Sequence, residues 1–550
     1  MRLVIREYLS MLKEEGELDA LLPDVLLAMD ITPTSKPQKG VRQFGVDLEA
    51  KGKALDDDEE KLYLFVIKQG NIDRDTWDGD RNAVRPTLNE IMDVYLDRIA
   101  DESPKKIVVC SNGEMNQSTK TNWDGYVKDH QKDDLEFEYW GADKLAELID
   151  NYFLDEYLFP ESSQKEMRKT LALLDLPDYD LSYFNSMIER ILFDETAEAT
   201  KLQVKSLRLA HLCLNMVSHW ASEADNLKPA FEASERVLLR IWDWLRIDES
   251  LENKALVSEF AKIYASHIRI SRAYFHKIRQ HCYIRDGLTG YPATEIEYPL
   301  RVFEQIGILS IIGLQEWHLY LQTKKYGHLR YLIVIADSLI NLIKNNPPGK
   351  NPPYDGHIIA ISLAFRLLYE AKKCDFAEQW LQELINSITI GYKLLGKFPN
   401  LSDSYQELIE IEVGGLNVDF NSSTLLPVLA EWTVVFERED LYQLLREATE
   451  DAFSEVNYQT WYPDDDIEEY LYKENALNEC GDMRTGVDLY PEFDEFKSQM
   501  MEEFEKFESP EDLSFIRHGF PIMGLIASRH FRTPVFPFYW RELLNEKSDV

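Results

Sequence analysis

The run LYLFVI, Leu62–Ile67, is apolar at every position and ends on Lys68. With no polar face to turn to water, such a segment reads as a strand covered on both sides within a sheet. Just upstream, FGVDLEA, Phe44–Ala50, alternates, so Asp47 and Glu49 point one way while Val46 and Leu48 point the other. The polar turn KALDDDEEK separates the two strands.

The flanking text supplies the layers that a doubly covered strand needs. Val4, Tyr8, Met11 and Leu12 form a helical stripe that stops at Gly16, and LDALLPDVLLAMD reads as a second helix. TPTSKPQKG reads as a loop. Beyond Lys68, Pro86 sits where a helix begins, and Leu88, Ile91, Met92, Tyr95, Leu96 and Ile99 recur at helical spacing. KKIVVCSNG is another short buried strand. LEFEYW alternates with Leu135, Phe137 and Tyr139 on one face, and ADKLAELIDNYF closes the region as an amphipathic helix. Residues 1–160 are therefore expected to form an α/β domain, a small mixed sheet flanked by helices.

From about residue 161 to 550 the text is helical, and a large all-α domain is expected there. Leu332, Ile335, Ala336, Leu339, Ile340 and Ile343 make one stripe, and SLAFRLLYEAKKCDFAEQWLQELI reads as two helices joined near Lys373–Asp375. The Pro-rich NNPPGKNPPYDG marks a subdivision near 345–355. No apolar run approaches the length of a bilayer crossing. The N-terminus MRLVIREYLSMLKEEG is charged and helical rather than a secretion signal, and the five cysteines are scattered without a CxxC pair. A cytoplasmic protein with reduced thiols is expected.

If the strands of FGVDLEA and LYLFVIK pair, carboxylates and one ammonium meet at one end of the sheet. Phosphodiester hydrolysis uses such a kit. Hard oxygen ligands hold Mg²⁺ (or Mn²⁺), the cation stabilises phosphorane charge and acidifies water, and a lysine orients that water or steadies the transition state.

The layout GVD, a turn, then an apolar strand ending in lysine resembles the PD-(D/E)xK nuclease superfamily, in its Mrr-like restriction-endonuclease branch. The resemblance covers about residues 1–155 and implies Asp47 as metal-binding aspartate and Lys68 as catalytic lysine. It also places Glu7, in REYLSML, where that branch often carries a helical glutamate, as a further metal ligand. One position departs: Val66 stands where the family has Asp, Glu or Gln. Either Glu49 supplies the missing carboxylate as a metal-binding and catalytic residue, or the site is degenerate.

Lys36, Lys39, Arg42, Lys51 and Lys53 crowd Asp47 and form the candidate nucleic-acid-binding patch. The formal charge of −38 repels DNA at long range, so any such contact is local or supplied by a partner. The expected function is a metal-dependent endonuclease acting on DNA. By analogy with the family it would be a restriction or anti-phage effector controlled by the helical region, a homo-oligomer, or a partner such as an ATPase, a helicase or another defence-system subunit. The rival is a catalytically degenerate nuclease fold that serves as a binding or scaffold subunit. A third option is a helical ribonuclease through Arg269 and His276 in RISRAYFHKIRQHC. No GxxxxGK[ST] phosphate loop is present, so the chain does not read as its own NTPase.

Overall fold

The computed structural model describes residues 2–35, 44–53, 59–152, 161–174, 176, 179–193, 200–247, 250–290, 294–401, 404–414, 421–463, 467–473, 482–506, 513–533 and 540–544. The chain divides into two compact units, Met1–Ala233 and Ser234–Val550.

In the first unit, α1 (Arg2–Leu9) leads through a π turn (Glu14–Leu18) into α2 (Asp19–Ala28), and three strands follow, β1 (Ile31–Pro33), β2 (Leu48–Gly52) and β3 (Lys61–Lys68). Two helices, α3 (Arg74–Asp78) and α4 (Val84–Glu90), and a π turn at Ile91–Tyr95 precede β4 (Lys105–Ser111). The unit continues with α5 (Gln117–His130), β5 (Leu135–Trp140), α6 (Ala142–Tyr152), α7 (Glu161–Leu173), α8 (Ser182–Phe193) and α9 (Thr200–Glu223). The strands form one sheet in the order β1-β2-β3-β4-β5. The first two pairings are antiparallel and the last two parallel. Parallel neighbours need crossovers, which the helices between β3 and β4 and between β4 and β5 provide.

β3 is the central strand, buried from Lys61 through Ile67. Its Leu62, Leu64 and Val66 pack with Trp77, Val84, Leu88, Ile91, Trp123 and Tyr126, so α3, α4 and α5 cover one face. Tyr63, Phe65 and Ile67 alternate to the other face, where Phe65 meets Trp140 edge-on at 5.3 Å. There α1 and α2 each pack on α6, and α6 packs against β5. β1 occupies the segment that reads as a loop. It is a three-residue edge strand, and Pro33 suits that edge because proline cannot donate to a further neighbour.

The second unit is largely helical. The division falls inside α10 (Lys228–Leu245), and α11 (Lys254–Cys282), α12 (Glu297–Thr323) and α13 (Tyr326–Asn345) are long helices packed on one another. α14 (Ile358–Glu370) and α15 (Cys374–Leu395) meet at Lys372, whose left-handed φ of 57° makes the expected break near Lys373. The unit is not all-α. Three short strands, β6 (Ser422–Ser423), β7 (Asn457–Tyr462) and β8 (Asp482–Thr485), form a second sheet in that order. A two-residue strand has no periodicity to read, and the polar–aromatic text of NYQTWY gives no apolar face. Among the described residues no helix is long and apolar enough to cross a membrane.

Candidate functional site

Because β3, β4 and β5 run parallel and β2 antiparallel to them, the end of β3, the end of β4 and the start of β2 lie along one edge of the sheet. In sheets of this kind ligands gather outside the carboxyl ends of the parallel strands. Lys68 ends β3 there, in register with Ser111 at the end of β4.

Asp47 comes to the same edge by an unusual route. Its own N–H donates to the Phe65 carbonyl at 2.9 Å, and its Oδ2 accepts the Ile67 N–H at 2.7 Å. The carboxylate thus takes the place of a strand carbonyl and extends the ladder by one bond. Burial raises its pKa, partly opposed by the Ile67 N–H and by the Lys68 ammonium, and the charges of Glu14 and Asp19 add to the rise. Three carboxylates and a lysine therefore share one electrostatic neighbourhood.

Glu14 and Asp19 arrive from the π turn and the start of α2. Glu14 Oε2 accepts the Gln69 N–H at 3.2 Å, and the Gln69 side chain donates to the Leu12 carbonyl at 3.3 Å. Asp19 Oδ1 is buried with no hydrogen-bond partner. π turns mark local departures from helical geometry that often sit at functional sites. This one puts Glu14 beside the residue after Lys68.

The floor of the site is two crossing loops. Ser111 Oγ donates to the Gly70 carbonyl at 3.1 Å, and the Ile72 and Asn116 N–H groups close a short bridge at 3.0 Å each to Glu114 and Ile72 carbonyls. The crossing requires glycine: a Cβ on Gly113 would lie 2.3 Å from the Gly70 carbonyl carbon, and Gly70 itself has φ of 77°.

The other residues singled out from the sequence are placed differently. Glu49 is in register with Leu64, four residues back from Lys68 and so about 13 Å along the strand. Its Oε2 accepts the Tyr95 hydroxyl at 2.6 Å and its Oε1 the Thr34 hydroxyl at 3.0 Å. The structure does not bring Glu49 to Lys68. Lys51 lies farther down β2, opposite Leu62, and pairs with Asp101 at 2.7 Å. Lys53 is exposed just past β2. Glu7 is half-buried on α1, its carbonyl accepting from Arg208 of α9 at 3.2 Å. Lys36, Lys39 and Arg42 lie outside the described residues. Val66 is fully buried among the helix-side core residues. In the second unit Arg269 and His276 are both exposed on α11, and His276 Nε2 meets the Tyr331 hydroxyl at 2.8 Å.

The residues missed by sequence reasoning are Glu14 and Asp19. The segment KEEGELD gives no local sign that the charges of Glu14 and Asp19 act on Asp47. Hard oxygens beside an ammonium suit Mg²⁺ or Mn²⁺, and the unpartnered Asp19 oxygen is the observation that favours a cation. Among the described residues, however, no three His, Cys, Asp or Glu side chains stand close enough to hold one as they are placed. Comparison with protein families, curated proteins and solved structures returned no match.

Proposed function

We propose that the first unit is a nuclease domain of the PD-(D/E)xK, restriction-endonuclease-like kind, hydrolysing DNA phosphodiester bonds with Mg²⁺. The observation that carries the reading is the half-exposed Lys68 at the end of β3 beside a half-buried Asp47, held by the Ile67 N–H, whose carboxylate also feels the charges of Glu14 and Asp19.

Asp47 and Asp19 are the residues that would hold the cation, with Glu14 in place of the carboxylate that Val66 cannot provide. Bound there, Mg²⁺ supplies Lewis-acid stabilisation of phosphorane charge and a water of lowered pKa. Lys68 orients the attacking water or stabilises charge on the non-bridging oxygen. The hydrogen bond from Ile67 fixes the Asp47 carboxylate in direction, so little reorganisation is needed at the reacting phosphate. The acidic surface keeps the protein off DNA until a partner or self-assembly holds the substrate, in keeping with a defence effector gated by its helical region.

The experiment is cleavage of several DNA and RNA substrates by the purified chain with Mg²⁺ or Mn²⁺, with and without the products of neighbouring genes. Cleavage lost in both Asp47→Ala and Lys68→Ala supports the reading. No cleavage under any of these conditions overturns it.

The buried Val66 favours a second reading, a nuclease fold retained as a scaffold without catalysis. It expects Lys68→Ala to leave biological activity intact.

A further inference from the structure

Against a formal charge of −38, the stretch from Phe260 to Arg285 carries six Lys or Arg and no Asp or Glu, and the stretch from Trp317 to Ala336 carries three and none. The fold sets the two side by side, one in α11 and the other running from the end of α12 into α13. Side-chain contacts fix how they meet. Arg272 Nη2 lies 3.3 Å from His328 Nδ1, His276 Nε2 lies 2.8 Å from the Tyr331 hydroxyl, and the Tyr283 hydroxyl lies 3.3 Å from Ser338 Oγ. The near-constant offset of 56, 55 and 55 residues means that α11 and α13 run parallel and stay in register, over about 16 Å. Arg269, Arg272, His276, Arg279 and Tyr283, three or four residues apart, share the face of α11 that meets α13.

Arg272 is held in place on this face. Its Nε and Nη2 donate to the two oxygens of the buried Glu316 carboxylate at 2.6 and 2.9 Å, and its guanidinium lies 5.3 Å from the centre of the Tyr331 ring. Phe275 braces that ring edge-on at 5.6 Å. The acids at the margins are engaged: Asp337 pairs with Lys373 at 2.7 Å, and Asp286 accepts the Tyr298 hydroxyl at 3.1 Å. Arg279 and Tyr283 are exposed. We propose that this face of α11 and α13 docks a single strand of nucleic acid, with phosphates against Arg272 and Arg279 and a base against the Tyr283 ring. Charge complementarity selects a polyanion, and the acidic remainder of the chain disfavours other placements of one. The aromatic rings set among the arginines select a strand whose bases are open to stacking over a duplex or an acidic protein. The proposal is independent of the Asp47 edge in the first unit and assigns no catalysis to His276.

The test is fluorescence anisotropy of labelled oligo-dT and oligo-U strands, and of a duplex of equal length, titrated with the full chain in EDTA over a range of salt. The expected result is tighter binding of the single strands than of the duplex. Arg279→Glu should weaken it about tenfold, and Tyr283→Leu about fivefold or more. Tyr283→Phe, which keeps the ring, and Lys254→Glu, at the exposed start of the same helix, should leave it unchanged. Arg279→Ala should flatten the log–log salt dependence by about 0.7, the loss of one phosphate contact on a single strand. A wild-type chain that binds no oligonucleotide at low salt overturns the inference, as does binding that Arg279→Glu leaves unchanged. Equal binding of strand and duplex with Tyr283→Leu neutral overturns the choice of a single strand. Sedimentation in which the wild type self-associates and Arg279→Glu does not, with no oligonucleotide bound, gives the face to the acidic surface of a second copy and overturns the proposal as well.

Discussion

Asp47 is bound to the backbone of Ile67, its Oδ2 accepting that N–H at 2.7 Å in the position a neighbouring strand would fill. Asp47→Asn can keep the shape and, through its amide oxygen, the bond, but it removes the charge. The expected outcome is a folded protein, destabilised by no more than about 1 kcal/mol, with cleavage reduced on the order of a hundredfold or more. Glu49→Gln, whose side chain serves Tyr95 and Thr34, is expected to retain cleavage within a few-fold. Single-turnover rates on a common DNA substrate, beside thermal melts, check both.

Val66 offers a sharper probe of the departure from the nuclease pattern. It is fully buried between Val46, Leu64 and the helices of one face. Placing an acid there, as the proposed nuclease pattern would have it, by Val66→Glu, buries a carboxylate among apolar groups. The expected cost is several kcal/mol, on the order of 3 or more, with the new carboxyl kept protonated near neutral pH. A Val66→Glu chain with an unchanged melting temperature and higher activity would show instead that an open path from this position to Lys68 exists.

How much of this was legible depended on the range over which each relationship acts. The doubly buried β3 and the lysine that ends it are local periodicity, and so are β4, β5 and the helices between. The pairing of Asp47 with Glu49 was misread because alternation does not run unbroken through the segment. Val46 packs with the core under α4, and Glu49, three residues on, reaches Tyr95 on the same side. An odd spacing on one face means the ladder shifts by one residue, and it does so where Asp47 bonds to Phe65. Glu14 and Asp19 were illegible for another reason: their influence on Asp47 is a field acting between residues some thirty positions apart, which no local pattern encodes.

Acid should loosen the second unit before carboxylate pairing fails. His267 is fully buried between the Ser234 hydroxyl, 2.7 Å from Nδ1, and the Gln315 amide, 2.6 Å from Nε2. Burial chiefly pushes its pKa down to about 4, and burial does the same for His318. Both titrate near 6.5 when unfolded. Between those values the unfolded chain binds more protons, so stability present above about pH 6.5 is lost as the pH falls toward 4. Each group contributes on the order of 3 kcal/mol to that loss. Urea midpoints measured from pH 7.5 to 4.5 should fall, and the fall should be smaller in His318→Phe. A flat profile across this window would contradict the buried, neutral imidazoles.

Gly113 lets two backbones cross beneath the site, and this makes it intolerant of a methyl group. In Gly113→Ala the new Cβ would sit 2.3 Å from the Gly70 carbonyl carbon, 2.4 Å from its oxygen and 2.5 Å from the Asn71 nitrogen. All three are backbone atoms, so no side chain can swing aside, and the loop that follows Lys68 must move. The expected cost is on the order of 3 kcal/mol, or about 10 °C in the melting temperature of a unit this size. Gly125 is the matched control. It lies within α5, and a Cβ there meets nothing within 4 Å, so Gly125→Ala should stabilise by up to about 1 kcal/mol through helix propensity. Scanning calorimetry of the two variants separates the readings. If Gly113→Ala melts with the wild type, the two loops do not cross as closely as described, and the floor beneath Lys68 would have to be redrawn.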